Sequence, residues 1–139
     1  MRVLIDTNIL LDFLLQREPF FQNADLLFQA IDSDHVVGYV TATTLTDIFY
    51  IARRHTGSLE QARQAISEIL NSMVICPVNR AVLESAFASG LTDFEDAVQI
   101  ACAVAQELDA VVSRDTDFSS TLISVFTVEE LLRQLEADN

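Results

Sequence analysis

The stretch "VLIDTNILLD", residues 3–12, holds an aliphatic run of strand length that ends in Asp6, after which apolar residues recur at helical spacing from Asn8. A short buried strand that passes through an acid straight into a helix is the opening unit of an alternating α/β chain. Four later runs have the same strand character: "HVVGYV" (35–40), "MVIC" (73–76), "AVVS" (110–113) and "ISVF" (123–126). Between them, helix-period segments cover about 8–15, 19–31, 43–55, 59–70, 80–88, 93–108 and 128–136. This alternation predicts a three-layer α/β/α sandwich around a mostly parallel five-stranded sheet. "HTGS" at 55–58 and "SG" at 89–90 read as helix-to-helix turns. No repeat, low-complexity tract or linker interrupts the pattern, so residues 1–139 read as one domain.

Composition narrows the function. The formal net charge is -13, with 21 acids against 8 basic residues. An unassisted, tight grip on nucleic acid draws on a basic surface, so a phosphate substrate here needs cations as intermediaries. All the basic side chains are arginine, and the absence of lysine excludes P-loop and Schiff-base chemistry. No apolar run reaches the roughly 20 residues of a membrane span, and "RVLID" follows Met1 without a signal-sequence pattern. The expected location is the cytoplasm, without membrane partners. Cys76 and Cys102 lack metal-ligand spacing and read as small buried hydrophobes in a reducing compartment.

In parallel sheets, ligands bind beyond the carboxyl ends of the strands, where the strand order reverses. Asp6 stands at such an end, and so do Asp115 and Asp117 in "VVSRDTDF". Helix capping accounts equally well for Asp6, and a polar turn for the other two. Asp47 lies within the helical "TTLTDIFYIARR", where a solvent-facing acid is tolerated at modest cost.

The densest acid group is in "LTDFEDAVQI", residues 91–100. With Thr92 as N-cap, Thr92 and Glu95 form a T-x-x-E capping box, and Asp93 at the first helical position meets the positive end of the helix dipole. Asp96 then falls at the fourth position, where a staple residue is normally apolar. At about 100° per residue, Phe94, Ala97, Val98, Ala101, Val104, Ala105 and Leu108 form the apolar arc, bordered by Asp96. A carboxylate at the edge of a buried face needs a partner, and a cation is more economical than the few arginines nearby. Asp6 and Asp115 at strand ends, with Asp93 and Asp96 at the start of a helix that reaches the same rim, offer an oxygen-only site suited to Mg2+ or Mn2+. Such ions hold a phosphodiester, activate water and stabilise a leaving oxygen.

Four ordered motifs, "VLIDTNILLD", "TATTLTDIFYIARR", "DFEDAVQIACA" and "VVSRDTDF", resemble those of the PIN-domain (PilT N-terminus) nucleases, a family rich in VapC-type toxins. The resemblance spans most of the chain. It implies a PIN-like five-stranded parallel sheet between helices, a Mg2+- or Mn2+-dependent endoribonuclease, frequent homodimers and an antitoxin partner. By position it makes Asp6, Asp47, Asp96 and Asp115 the catalytic acids. Asp6, Asp96 and Asp115 are then the metal ligands, while Asp93, Asp117 and Asn8 are auxiliary. The family usually has Glu where this chain has Asp47, one methylene shorter in reach.

Asn8 and Thr7 are expected to cap the helix or to orient Asp6. The basic run Arg53, Arg54, His55 suits a helix C-terminus, and neither His35 nor His55 is expected to act as general base. Phe13, Phe20, Phe21, Phe28, Phe49 and Tyr50 read mostly as core, with some available to a groove for a partner helix. Dehalogenase-type phosphatases resemble D-x-D, which Asn8 breaks, and phospho-receiver domains resemble one another in a lysine absent here. The alternative from another class is a catalytically degenerate PIN fold that only binds protein or RNA.

Overall fold

The computed structural model describes residues 1–115, 118 and 120–138. In chain order the elements are β1 (Arg2–Ile5), α1 (Thr7–Leu14), α2 (Phe21–Asp32), β2 (Val37–Thr41), α3 (Ala42–Thr56), α4 (Leu59–Ser72), β3 (Val74–Cys76), α5 (Arg80–Ala88), α6 (Phe94–Ala105), β4 (Ala110–Val112), β5 (Ser124–Phe126) and α7 (Val128–Ala137). The strands form one sheet in the order β3-β2-β1-β4-β5, and every pairing is parallel. The expected α/β/α sandwich is therefore the fold of the chain.

Strand alternation sorts side chains to the two faces. Val3 and Ile5 of β1, Val40 of β2 and Ala110 and Val112 of β4 pack with apolar residues of α1, α2, α3, α4 and α7. Leu4, Tyr39, Cys76 and Val111 point the other way, under α5 and α6. Because both faces are covered, the central strands read as continuous aliphatic runs rather than alternating ones. Full burial of a side chain such as Leu10, Leu27, Ile48 or Leu131 contributes roughly 1.5–3 kcal/mol relative to exposure. Phe13 of α1 stacks on Phe28 of α2 with ring centroids 3.8 Å apart. Phe28 is core, whereas Phe20 and Tyr50 are exposed. Both cysteines are free and buried, as expected; burial pushes the Cys76 thiol up to about 12 and the Cys102 thiol up to about 11.

The close approach of α2 to the sheet depends on Gly38: a Cβ there would lie 2.9 Å from Ile31 Cδ1 and 3.4 Å from Ile5 Cδ1. Gly38→Val is expected to destabilise the fold by about 1–3 kcal/mol. Gly38→Ala should be milder, because the tip of Ile31 can rotate away. Denaturant midpoints of the two variants check the order.

Most element ends move by one to three residues from expectation, and at two of them the local cause is visible. β2 starts at Val37, not His35, because Asp34 adopts φ 62 and the His35 N–H still bonds the Ala30 carbonyl at the end of α2. The ladder opens only where Val37 pairs with Arg2. In α6 the N-cap is Asp93, not Thr92: the Asp93 carboxylate accepts from the Asp96 N–H at 3.1 Å. The expected Thr92–Glu95 capping box is absent, Asp93 is not a helical residue, and Asp96 is the third helical residue rather than the fourth. The buried face of α6 is also wider than the expected arc. It takes in Gln99, Cys102 and Ala103, whereas Phe94, Val104 and Ala105 are exposed. Helix α6 lies between the sheet and α5 and so buries two sides. A complete capping box does form at α7, where Thr127 and Glu130 bond each other's backbone N–H.

Candidate active site

The strand order reverses at β1: the chain runs outward through β2 to β3, then returns to place β4 on the other side of β1. The carboxyl ends of β1 and β4 flank the resulting crevice, where α/β sheets bind ligands. Asp6 leaves β1 there, and Ser113, Arg114 and Asp115 leave β4. The second turn of α3 brings in Asp47, and the N-terminus of α6 brings in Asp93, Glu95 and Asp96. Among the described residues, Asp6, Asp47, Asp93, Glu95, Asp96 and Asp115 line one cleft of about 320 Å3, with Leu11 and Ile51 as apolar walls. Asp93, Asp96 and Asp115 also line a second hollow of about 260 Å3 walled by Leu91, Ile100 and Phe118.

The sequence-level candidates Asp6, Asp47, Asp96, Asp115 and Asp93 thus come together. Asp117 lies outside the described residues. Asn8 is in the cleft but does not orient Asp6; its Oδ1 accepts from Arg17 at 3.4 Å. Glu95, which the sequence pattern assigns to a capping box, belongs to the cleft instead.

Asp6 is buried and occupies the N-cap position of α1, yet its side chain makes no cap hydrogen bond. Its Oδ1 accepts from Gln99 Nε2 at 3.0 Å, and its Oδ2 from Ser113 Oγ at 2.9 Å. Ser113 Oγ in turn accepts the Asp115 N–H at 3.1 Å. One hydroxyl therefore joins the acid after β1 to the backbone of the acid after β4. Thr7 does not cap α1 through its hydroxyl; it donates to Glu95 Oε1 at 3.1 Å and meets Thr44 Oγ1 at 3.0 Å. Thr44 continues to Thr41 Oγ1 at 2.9 Å, the side chain that caps α3. This hydroxyl chain ties the starts of α1, α3 and α6 together around the acids.

Burial, and after it the crowding of like charges, raises proton affinity in the cleft. Asp96 is pushed up from the ordinary 3.8 to about 7, first by burial and then by the charges of Asp93, Asp6, Asp115 and Glu95. Glu95 also moves up, mainly through burial; its hydrogen bond from Thr7 opposes the shift, and Asp47, Asp6 and Asp93 add to it. Among the described residues no arginine pairs with Asp6, Asp47, Asp93, Glu95 or Asp96. The nearest arginines, Arg17 and Arg114, are both held by the buried Asp12. As placed, no three of the described His, Cys, Asp or Glu side chains form a set that could hold an ion. In donor type the cleft still fits a hard divalent cation, with carboxylate oxygens from several elements and raised proton affinity that a cation would relieve.

An α/β/α protein with a carboxylate cleft at the switch point of its parallel sheet defines the class. The chain belongs to the PIN domain family, whose profile matches residues 2–117. No curated protein matches the sequence significantly. Among solved structures, the chain is similar to a VapBC2 structure from Rickettsia felis bound to a promoter DNA fragment, at 13% identity and TM-score 0.66 over 91% of this chain and 98% of that one. It is similar to Mycobacterium tuberculosis VapC20, a sarcin-ricin-loop-cleaving toxin, at 17% identity and TM-score 0.68 over 84% and 92%. It is also similar to a toxin–antitoxin complex from Klebsiella pneumoniae, at 21% identity and TM-score 0.67 over 91% and 97%. These likenesses show the shared fold.

Proposed function

We propose that this PIN-domain protein is a divalent-metal-dependent endoribonuclease and the toxin of a toxin–antitoxin pair, acting in the cytoplasm. The observation that carries the reading is the convergence of six acids from distant parts of the chain on one switch-point cleft. The fold shared with VapC20 and with toxin–antitoxin complexes supports both RNA as substrate and a protein antitoxin. The charge of -13 makes a cation necessary for approach to a polyanion.

In this reading Asp6, Asp96 and Asp115 hold Mg2+ or Mn2+, with Asp93 and Glu95 at the margin and Asp117 as a further auxiliary acid. When bound, such an ion neutralises phosphate charge and lowers the pKa of water at the scissile phosphodiester. Asp6 arrives pre-set by Gln99 and Ser113, so its carboxylate need not be ordered at the moment of binding. Asp96 must release its proton before it can ligate. Asp47, on the exposed wall from α3, is placed to orient a water molecule; its short side chain favours that role over direct ligation. Leu11 and Ile51 exclude solvent from one side of the cleft.

Among the described residues no helix is long and apolar enough to cross a membrane. A hollow of about 890 Å3 between α3 and α4, lined by Phe49, Leu59, Ile66 and Leu70, lies away from this acid set. It suits a protein contact, either an antitoxin segment or the second copy of a homodimer.

The test is a thermal titration of metal-free protein with MnCl2 or MgCl2, paired with cleavage of total cellular RNA. Saturation at a hundred times Kd is expected to add about 2.7 kcal/mol of stability, and cleavage should require the same ion. An unchanged melting temperature with no cleavage would instead identify a degenerate PIN fold that only binds.

A further inference from the structure

Gln99 stands out because its neighbours on α6 make it the wrong residue for packing alone. Ala97, Val98, Ile100, Cys102 and Ala103 are all buried around it, and Gln99 is itself 1% exposed. An apolar side chain of similar length would fill this position without a polar atom to satisfy. Among the described residues, Gln99 Nε2 donates at 3.0 Å to Asp6 Oδ1 across 93 positions of sequence. Its Oε1 is buried and, among the described residues, has no hydrogen-bond partner. Asp6 as a carboxylate accepts only, so the amide cannot be turned to give its oxygen a role. A position selected for stability alone would avoid such a half-satisfied amide.

We propose that Gln99 is a positioning residue for Asp6: the buried amide N–H fixes the rotation of the Asp6 carboxylate, so that its remaining lone pairs face the acid cleft where a divalent cation binds. The proposal rests on the metal-site reading above. Ser113 holds the other oxygen, and two donors at roughly opposite ends of a carboxylate determine its plane, whereas one leaves it free to turn. Gln99 lies one helical turn after Asp96, so the helix that delivers one candidate ligand also sets the orientation of another. Helix α6 thereby couples the acid after β1 to its own N-terminus without any contact between Gln99 and the ion.

The experiment compares wild type, Gln99→Met, Gln99→Asn and Cys102→Ala by isothermal and thermal titration with MnCl2, read alongside metal-free melting. Gln99→Met keeps length and removes the donor; Gln99→Asn keeps the amide one methylene too short to reach. Both are expected to raise the Mn2+ dissociation constant about tenfold or more. Cys102→Ala, a buried neighbour on the same helix that does not touch Asp6, is expected to lower the metal-free melting temperature and leave the Mn2+ constant in place. If Gln99→Met does not fold, Gln99→Asn carries the comparison. Wild-type Mn2+ affinity in the Gln99 variants overturns the proposal alone, and so does an equal weakening in Cys102→Ala. Failure of wild type to bind Mn2+ overturns the metal-site reading and this inference with it.

Discussion

Asp96→Asn is expected to abolish RNA cleavage in Mg2+ or Mn2+, a loss of at least about a hundredfold, while the metal-free protein becomes no less stable. The two halves of this result have one cause. Asp96 sits half-buried among four other acids, which is why its carboxyl is pushed up to about 7. The folded state therefore holds a proton between about pH 4 and 7 that the unfolded chain has released. Stability is greatest below the unfolded value and declines as pH rises toward the folded one. Asparagine removes the charge with little change in volume, so the variant should lack this part of the decline. Metal binding runs the other way: the ion competes with the proton, so wild-type stabilisation by Mn2+ should grow from pH 5.5 to 8. Melting temperatures across that range, with and without Mn2+, check both slopes. Retained cleavage by a clean Asp96→Asn preparation would remove Asp96 from the site.

The largest loss of stability is expected at Asp12, which lies outside the acid cleft. Its carboxylate is buried and accepts from Arg17 Nε at 3.0 Å and from Arg114 Nε and Nη2 at 2.7 and 3.2 Å. Arg17 also donates to the Asn8 carbonyl, and the Arg114 guanidinium lies 4.0 Å from the centre of the Phe20 ring. One buried carboxylate thus ties α1 to the segment before α2 and to the loop that leaves β4 beside Asp115. Both arginine side chains are 33% exposed, so water screens part of the interaction. Breaking a buried pair by removing one partner typically costs 3–5 kcal/mol, and with that screening about 3 kcal/mol is expected for Asp12→Ala. That corresponds to a melting temperature lower by about 10 °C. Calorimetry of Asp12→Ala beside Arg17→Met separates the two arms. A loss within about 0.5 kcal/mol for Asp12→Ala would show that the triad is not structural.

Asp12 also shows how the reading of a motif changes in three dimensions. In "VLIDTNILLD" the first acid reads equally as a cap and as a site residue, and nothing beside the last assigns it a role. The fold gives each its partners: Asp6 makes no side-chain cap and is held by Gln99 and Ser113, while Asp12 is sealed beneath two arginines. Gln99 was equally hidden, because at 100° per residue it falls outside the apolar arc of α6. Only the packing of that helix between the sheet and α5 brings it inside. An isolated glutamine in a run of small apolar residues was the one available signal.

The sequence by itself determined the alternation of strands and helices, the parallel sheet, and the acids at the ends of β1 and β4. These follow from local periodicity and from the burial of a sheet on both faces, which each segment carries in its own pattern. Tertiary contacts set which groups each acid meets. The pattern T-x-x-E occurs at Thr92–Glu95 and at Thr127–Glu130, and it closes a capping box only at the second. At the first, Asp93 takes the cap, and the hydroxyl of Thr7, 88 positions away, draws Glu95 into the cleft. A carboxylate bonds to whichever donor the fold brings within about 3 Å, and a donor from a distant strand end leaves no trace in the residues beside it.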